Sequence, residues 1–292
     1  MTQTIAAATT IGEVELYVAD LDRALRLYQD GIGFKLLSQG NGEAVLGAGS
    51  RRLLTLIEKP GARHVPKTTG LYHFAVRLPG RHALAELLYH LAESEIPVEG
   101  ASDHGVSEAL YLTDPDGNGI ELYRDRPRAE WPVDDLGKIQ MDVEALDVDD
   151  LVMTLKDGVP VWQGLPDQTV IGHVHLHVRD LLEAERFYTR VLGFQLMLRY
   201  ESGAIFVSAG GYHHHIGLNT WAGAGAPPPP PDAAGLRWFE VILPDPPALQ
   251  AVLGRLQEAG VPSEARDGGV LVRDPSQNGI LLRAEAHPPD AP

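Results

Sequence analysis

The chain has 292 residues, 44% of them hydrophobic and 22% charged, so it is long enough for two domains with cores of their own. Its formal net charge of −16 argues against nucleic-acid binding, which needs clustered lysine and arginine, and mildly favours a neutral ligand. The absence of cysteine excludes disulfides and thiolate metal sites, and it suits a cytoplasmic protein.

Neither a membrane span nor a secretory signal is predicted. The longest apolar runs are short and interrupted, and the N-terminal MTQTIAAATT lacks a basic start followed by an apolar core. We therefore expect a cytoplasmic protein that binds small molecules rather than membranes or nucleic acid.

The first fifty or so residues predict a β-α-β-β-β unit. Val14, Leu16 and Val18 alternate with other residues, which indicates a half-buried strand. Asp20 is the predicted N-cap of a helix whose apolar residues recur at helical spacing until Gly31 and Gly33. Three short strand-like runs follow, at residues 34–37, 43–46 and 53–57.

This pattern then recurs along the chain, and the second half of the chain repeats the first. The recurring segments include Ile11-Gly12 and Ile171-Gly172, Gly33-Phe34 and Gly193-Phe194, and Asp114-Pro115 and Asp274-Pro275. A regular internal repeat of this kind defines the architecture before local propensities are considered. Further units are predicted at residues 71–123, 171–221 and 236–283.

The predicted fold class is therefore α+β, with four βαβββ modules paired into two curved half-barrel sheets. Modules one and two occupy residues 9–125, a connector spans 126–170, and modules three and four occupy 171–285. One unit cannot bury the inner face of its own sheet, so the units must pair. The pocket is then expected inside the curve, lined by alternate residues of the first and last strands of each module.

A few residues break the repeat at equivalent places. The first strands carry Glu13, His73, His173 and Trp238 in turn, and the last strands of units two and four carry Glu121 and Leu281. A lone strand histidine is usually a satisfied polar residue, but three polar groups at equivalent points favour a shared site. Two imidazoles and one carboxylate form the ligand set that holds Fe(II) and leaves neighbouring positions open.

A run of three histidines lies in Tyr212–Asn219, which we interpret as the last strand of unit three. Strand alternation sends His213 and His215 to one face and His214 to the other. Core-like residues flank the run, which favours at least one pocket histidine over a surface tract. His104 and Tyr111 lie upstream of Glu121 and are predicted to support the metal site from nearby.

These features resemble the vicinal oxygen chelate superfamily, which includes glyoxalase I, bleomycin-resistance proteins and type I extradiol dioxygenases. The four modules, the GHVHLHV and HHHIGLN strands and the HG…Y…DPDGNGIE segment look most like catechol 2,3-dioxygenases. The resemblance implies an enzyme that uses O2 to open the ring of an aromatic diol next to its two hydroxyls. It implies Fe(II) as the cofactor, with Mn(II) as the close substitute, and exposed module edges that often form homo-oligomers.

Carried over by position, the resemblance assigns His73, Glu121 and His173 to the metal. It assigns His215 the acid–base role and gives Tyr111 and His104 hydrogen bonds to the substrate oxygens. The arrangement requires modules two and three to face each other. If modules pair sequentially instead, Glu13 joins His73 and Glu121 in a carboxylate-rich centre.

Two other functions remain open at this stage. One is a glyoxalase-type metal-dependent isomerase or lyase, which uses no dioxygen. The other is a non-catalytic member of the superfamily that only binds a small molecule.

Overall fold

The computed structural model describes residues 4–158, 160–266 and 268–285, and its strands and helices follow the repeat. The first quarter contains β1 (Thr10–Val18), α1 (Leu21–Leu25), β2 (Lys35–Gly40), β3 (Glu43–Ala48) and β4 (Arg51–Glu58). The second contains β5 (Gly70–Arg77), α2 (Arg81–Glu93), β6 (Gly100–Asp103), β7 (Ser107–Thr113) and β8 (Gly119–Asp125). The connector adds β9 (Glu144–Ala145) and α3 (Val148–Val152).

The second half repeats these elements. The third quarter contains β10 (Val170–His177), α4 (Leu181–Arg186), β11 (Gln195–Tyr200), β12 (Ala204–Ser208) and β13 (Ile216–Asn219). The fourth contains β14 (Gly235–Leu243), α5 (Pro246–Glu258), β15 (Ser263–Arg266), β16 (Gly269–Arg273) and β17 (Gly279–Ala284). Within the described residues, no helix is long and apolar enough to cross a membrane.

The helices of modules one and three share their local signals. Asp20 and Asp180 cap α1 and α4 by accepting hydrogen bonds from the backbone N–H groups of Arg23 and Glu183, as the predicted cap required. Each helix continues as a π-helical turn, over Arg26–Ile32 and Phe187–Val191. The first of these turns ends at Gly33, whose φ of 93° lies in the left-handed region that favours glycine.

The strands form two curved sheets, and each draws one module from either half of the chain. The 1–4 sheet has the strand order β15-β16-β17-β14-β1-β4-β3-β2. The 2–3 sheet has the order β11-β12-β13-β10-β5-β8-β7-β6-β9. The α+β class with paired half-barrels is therefore confirmed, and modules two and three do face each other. The sequential pairing that would have joined Glu13 to His73 is wrong, because β1 pairs with β14 and β5 pairs with β10.

Residues that recur in the sequence join consecutive modules. The Tyr28 hydroxyl donates to Asp114 Oδ2 at 2.8 Å, and the equivalent Tyr188 hydroxyl donates to Asp274 Oδ2 at 3.1 Å. Each aspartate also accepts two backbone N–H groups of its own turn, as Asp114 does from Asp116 and Asn118. Both tyrosines are fully buried, so the repeated Tyr and Asp-Pro motifs serve the fold rather than the chemistry.

We expect the Tyr28→Phe substitution to lower the free energy of unfolding by about 1–3 kcal/mol, because it removes a donor from a buried carboxyl group. The measurement is urea denaturation followed by circular dichroism. Tyr89→Phe is the matched control, since Tyr89 is 38% exposed, and its change should stay within about 0.5 kcal/mol. Equal stability of the two variants would contradict the role of the Tyr28–Asp114 contact.

Candidate metal centre

Three side chains from three strands meet on the inner face of the 2–3 sheet. His73 lies on β5, Glu121 on β8 and His173 on β10, and all three are buried. The Nε2 atoms of His73 and His173 each lie 3.0 Å from Oε2 of Glu121. One ligand atom from each residue falls within 4.8 Å of the others. We refer to these residues as the His–Glu–His trio.

The strand pairing explains why they meet. β5 runs antiparallel to β10, with His73 opposite His175, and parallel to β8, where Glu121 is the partner of Ala75. The strands β5, β8 and β10 each direct alternate residues to the same face, so two imidazoles and a carboxylate converge. The contact between Nε2 of His73 and Glu121 lacks hydrogen-bond geometry. His73 Nε2 therefore has no hydrogen-bond partner among the residues that the structure describes. An unsatisfied buried nitrogen beside an anionic oxygen fits a divalent cation.

The surroundings of this site favour an ionised Glu121 carboxylate beside a neutral His173 imidazole. Burial raises the pKa of Glu121, but His173 and His73 outweigh burial and hold that pKa well below its usual value. Burial lowers the pKa of His173, and the attraction of Glu121 only partly offsets this. Metal ligands must be deprotonated, and Glu121 and His173 are already in that state near neutral pH.

Two members of the trio, His73 and Glu121, line a cavity of about 260 Å³. Its lining comes from both modules and from the connector. The polar part comprises His73, Ser102, His104, Ser107, Tyr111, Glu121, His175 and His214, and the remaining part comprises Tyr72, Val106, Met141, Val143, Tyr200, Phe206 and Trp221. A second cavity of about 440 Å³ adjoins it, and Tyr72 and Trp221 line both.

Two other predicted residues lie together in this cavity. The Tyr111 oxygen lies 2.7 Å from Nε2 of His104, and Nδ1 of His104 lies 2.8 Å from the carbonyl oxygen of Asp142. A carbonyl only accepts, so Nδ1 carries the ring proton and Nε2 accepts the Tyr111 proton. Burial, and then Glu121, raises the pKa of Tyr111 well above its usual value, so this phenol stays protonated.

The structure does not place His215 in this cavity, so the predicted position of that residue is wrong. Nδ1 of His215 accepts from the Ala209 N–H at 3.2 Å and lies 3.0 Å from the Ser208 hydroxyl. His215 lines a different cavity, between the two sheets. The expected strand begins only at Ile216, because the chain turns through Gly210 and Gly211, and the alternation then sends His214 to the metal side.

His214 therefore occupies the position expected of His215. Its ring centroid lies 4.1 Å from that of His173. Its Nδ1 lies 2.8 Å from Nδ1 of His213, whose Nε2 lies 2.8 Å from Oδ1 of Asp125. A carboxylate only accepts, so Nε2 of His213 donates to Asp125. In the tautomer in which Nδ1 of His213 accepts from His214, the neutral His214 ring has its proton on Nδ1 and leaves Nε2 unprotonated. We call these three residues the Asp–His–His chain.

Sequence reasoning missed both the Asp–His–His chain and His175. His175 lies on β10, two residues after His173, and its buried Nε2 has no hydrogen-bond partner among the described residues. Its ring stands perpendicular to that of His73, with 5.0 Å between centroids. A Cβ at Gly217 would lie 2.8 Å from the His175 ring, so this glycine provides the space. Gly217 is the module-three counterpart of Glu121. A glycine at a place where another module has a large side chain was the sequence feature that could have indicated the position of His175.

The 1–4 sheet has no comparable donor set at the equivalent positions. Glu13 is paired with Arg52 at 3.1 Å and accepts a hydrogen bond from Thr55, the counterpart of Glu121. Trp238 and Leu281 form a small apolar cluster with Leu271. The predicted loss of polar residues in module four thus corresponds to a half-barrel whose equivalent positions hold an ion pair and apolar side chains rather than a set of metal ligands.

The environment of His215 predicts a pH dependence of stability. Burial lowers the pKa of His215 to about 3, so the folded protein holds it neutral, whereas the unfolded chain protonates it below about pH 6.5. Protonation of His215 therefore favours the unfolded chain only below about pH 6.5. It lowers the free energy of unfolding as the pH falls toward 3, by about 2 kcal/mol between pH 7 and 5. We expect His215→Gln to lose less stability than the parent over that interval, as measured by urea midpoints. Parallel losses in both proteins would contradict this.

The comparisons with known proteins agree with the geometry. The family model "Glyoxalase/Bleomycin resistance protein/Dioxygenase superfamily" matches residues 10–122 and 170–281. A catechol-2,3-dioxygenase of Bacillus subtilis strain 168 is 48% identical over 271 residues, covering 91% of this chain and 94% of the relative.

Solved structures show the same fold at low sequence identity. A Bacillus subtilis protein gives a TM-score of 0.66 at 14% identity, over 98% of this chain and 87% of the other. Glyoxalase I of Zea mays gives 0.56 at 17% identity, over 94% and 92%. The resemblance found in the sequence is thus confirmed, and the chain belongs to the glyoxalase/bleomycin resistance protein/dioxygenase superfamily.

Proposed function

We propose that this protein is an extradiol dioxygenase, which uses O2 to cleave the ring of a catechol-type diol beside its two hydroxyls. The observation that carries the proposal is the convergence of His73, Glu121 and His173 beside a cavity that His73, Glu121, Tyr111 and His214 line. The 48% identical catechol-2,3-dioxygenase supports the same reaction.

The trio is proposed to hold Fe(II), with Mn(II) as the close substitute, through two nitrogens and one oxygen. An ion of this kind supplies open positions where the diol and O2 lie side by side and exchange electron density. Three protein ligands from three rigid strands fix this arrangement and leave one side open to the cavity. Proximity of this kind supplies a large part of the rate enhancement.

His214 is proposed to act as the acid–base group that accepts a proton from the substrate and later returns it. Its pKa is held well below the usual value, first by burial and then by the neighbouring His173 and His213, so the resting ring is neutral. Because the Asp–His–His chain places the ring proton on Nδ1, the free Nε2 can accept a proton from a diol hydroxyl. The same atom can return that proton to the oxygenated ring later in the cycle.

Tyr111 and His104 are proposed to orient the diol. The Tyr111 hydroxyl donates to His104, so its oxygen retains lone pairs that can accept a hydrogen bond from a substrate hydroxyl. His104 is itself fixed by the Asp142 carbonyl of the connector, which ties substrate orientation to that segment. The carboxylate-rich centre of a glyoxalase type required Glu13 beside His73, and Glu13 lies in the other sheet. Oxygen consumption with a catechol distinguishes the dioxygenase from an isomerase or lyase that uses the same trio.

The decisive experiment measures metal content and oxygen consumption together. Protein purified anaerobically without a tag should contain about one metal ion per chain and consume O2 when catechol is added in air, with a yellow product. Glu121→Gln removes the only anionic ligand, so it should lose the metal and the activity. Glu240→Gln is the matched control, because Glu240 is a buried carboxylate of the 1–4 sheet that pairs with Arg283. Full metal content in Glu121→Gln would contradict the proposed ligand set.

A second experiment separates the two neighbouring histidines. His214→Gln should lower kcat by about 10²–10⁴-fold and retain the metal, since general acid–base groups contribute rate enhancements of that size. His215→Gln serves as the control and should keep kcat within about threefold, because its ring lies outside the cavity. If the larger loss appeared in the His215 variant, the assignment of the proton to His214 would be wrong.

A further inference from the structure

The cavity between the two sheets, which His215 lines, has a volume of about 520 Å³. No described residue lines both this cavity and the metal cavity. The recurring Ile11-Gly12 and Ile171-Gly172 pairs both line it, so it lies where the first strands of modules one and three meet. We call it the inter-sheet cavity.

The inter-sheet cavity gathers positive charge in a chain whose net charge is −16. Four arginines line it, whereas neither lysine nor arginine is among the described residues that line the metal cavity. Three of these arginines each meet one carboxylate at 3.1 Å, namely Arg52 with Glu13, Arg77 with Asp125 and Arg283 with Glu240. The fourth, Arg51, is exposed and has no ion-pair partner among the described residues.

The hydrogen-bonding capacity that these side chains leave unused consists mainly of donors. A guanidinium group carries five N–H donors and no acceptor, so one carboxylate per arginine leaves several donors unused. Of the three glutamates that line the cavity, Glu13 and Glu240 are paired with arginine and Glu285 is exposed. The arginines therefore favour a ligand that is rich in acceptors.

Buried polar atoms at this cavity also lack partners among the residues that the structure describes. The Oγ1 atom of Thr9 is one of them, on a residue that is only 1% exposed. The contact between Nε of Arg283 and Oε1 of Glu240 lacks hydrogen-bond geometry, so these two atoms are unpaired as well. Buried polar atoms are almost always hydrogen-bonded, so unpaired donors on Thr9 and Arg283 indicate a place for an acceptor atom of a ligand.

The remaining wall of the inter-sheet cavity is largely aliphatic. Ile11, Leu53, Ile171 and Ile242 line it. Such side chains favour hydrocarbon and provide no partner for a second charged group. The volume lies within the range of roughly 300–1,000 Å³ that is typical of small-molecule pockets.

We infer that the inter-sheet cavity is a second binding site, which takes a small aliphatic carboxylate. The carboxylate group accepts hydrogen bonds from the Thr9 hydroxyl and from the guanidinium groups of Arg283 and Arg51, and such charge-assisted bonds are the strong ones. The hydrocarbon part packs against the isoleucines of β1 and β10. This inference depends neither on the metal nor on the proposed reaction.

The test titrates hexanoate into the purified full-length protein by isothermal titration calorimetry. Hexan-1-ol keeps the hydrocarbon without the charge, and inorganic phosphate keeps an oxyanion without the hydrocarbon. We expect hexanoate to bind with a Kd of about 1 mM or lower, and each of the other two to bind at least about tenfold more weakly, because each lacks one half of the contacts.

The unpaired hydroxyl of Thr9 allows a matched pair of variants. Thr9→Val removes the hydroxyl, keeps the shape and breaks no hydrogen bond of the described protein, so it should fold and bind hexanoate about tenfold more weakly. Thr169→Val is the control, because Thr169 is equally buried and its Oγ1 is equally unpaired, but it does not line the inter-sheet cavity. Its affinity should stay within about twofold of the parent.

A second pair of variants tests the charge. Arg51→Gln should weaken hexanoate binding by about tenfold, since it removes the arginine whose donors are least used. Arg190→Gln is the control, because Arg190 is exposed on the π-helical turn Phe187–Val191 and does not line the cavity. Its affinity should equal that of the parent protein.

The titration also separates this site from the metal centre, where a carboxylate can bind a metal ion. Glu121→Gln should bind hexanoate as the parent does, whether or not it retains a metal, so failure of the proposed reaction leaves this inference standing. Loss of hexanoate binding in Glu121→Gln, or an unchanged affinity in Thr9→Val or Arg51→Gln, would place the ligand elsewhere and contradict the inference. An absence of hexanoate binding, or equal binding of hexan-1-ol or phosphate, would show that the cavity does not select an aliphatic carboxylate.

Discussion

The antiparallel contact between β5 and β10 is the constraint on which the site depends. It joins the two halves of the chain and brings His73 and His173 to either side of the buried Glu121 carboxylate. A buried carboxylate without compensation costs several kcal/mol, so the two imidazoles must be present for the pocket to be stable. Removal of either imidazole would leave Glu121 poorly compensated, which ties the stability of the half-barrel to its donor set.

The sequence was sufficient to predict the fold and the trio for one shared reason. Residues needed for folding recur in every module, as the Tyr28–Asp114 and Tyr188–Asp274 contacts show. A residue that departs from the repeat at a fixed place therefore stands out. Side chains alternate between the two faces of a strand, so equivalent positions on first and last strands share a face, and His73, Glu121 and His173 could be placed without coordinates.

The same reasoning failed where the backbone leaves regular strand geometry. His213 to His215 follow a turn through two glycines with positive φ, and the strand itself starts only at Ile216. Which histidine reaches the metal side then depends on how the turn joins the strand, which the spacing of residues does not encode. Asp125, which orients His213, is 88 residues away, and its contact exists only because β8 and the turn before β13 are packed together.

His175 illustrates a different difficulty. Its place in the cavity requires that its neighbour across β13 has no side chain, and Gly217 meets that requirement. Any larger residue there would force the imidazole away, so the identity of a glycine on one strand decides the use of a histidine on another. Such dependence between residues can be read only when the register of the two strands is known.

The interleaved pairing has a consequence for how the polypeptide acquires its structure during synthesis. The backbone N–H of Glu13 donates to Glu240, 227 positions later, at the junction of β1 and β14. After it is synthesised, β1 therefore waits for a strand 227 positions later before one of its edges is covered. Long-range strand pairing of this kind slows folding, and until it forms, the unpaired strand edges can associate with other chains. A nascent chain of this architecture leaves β1 half-paired until β14 has been made, and cutting the chain between modules two and three would leave two fragments with neither sheet complete.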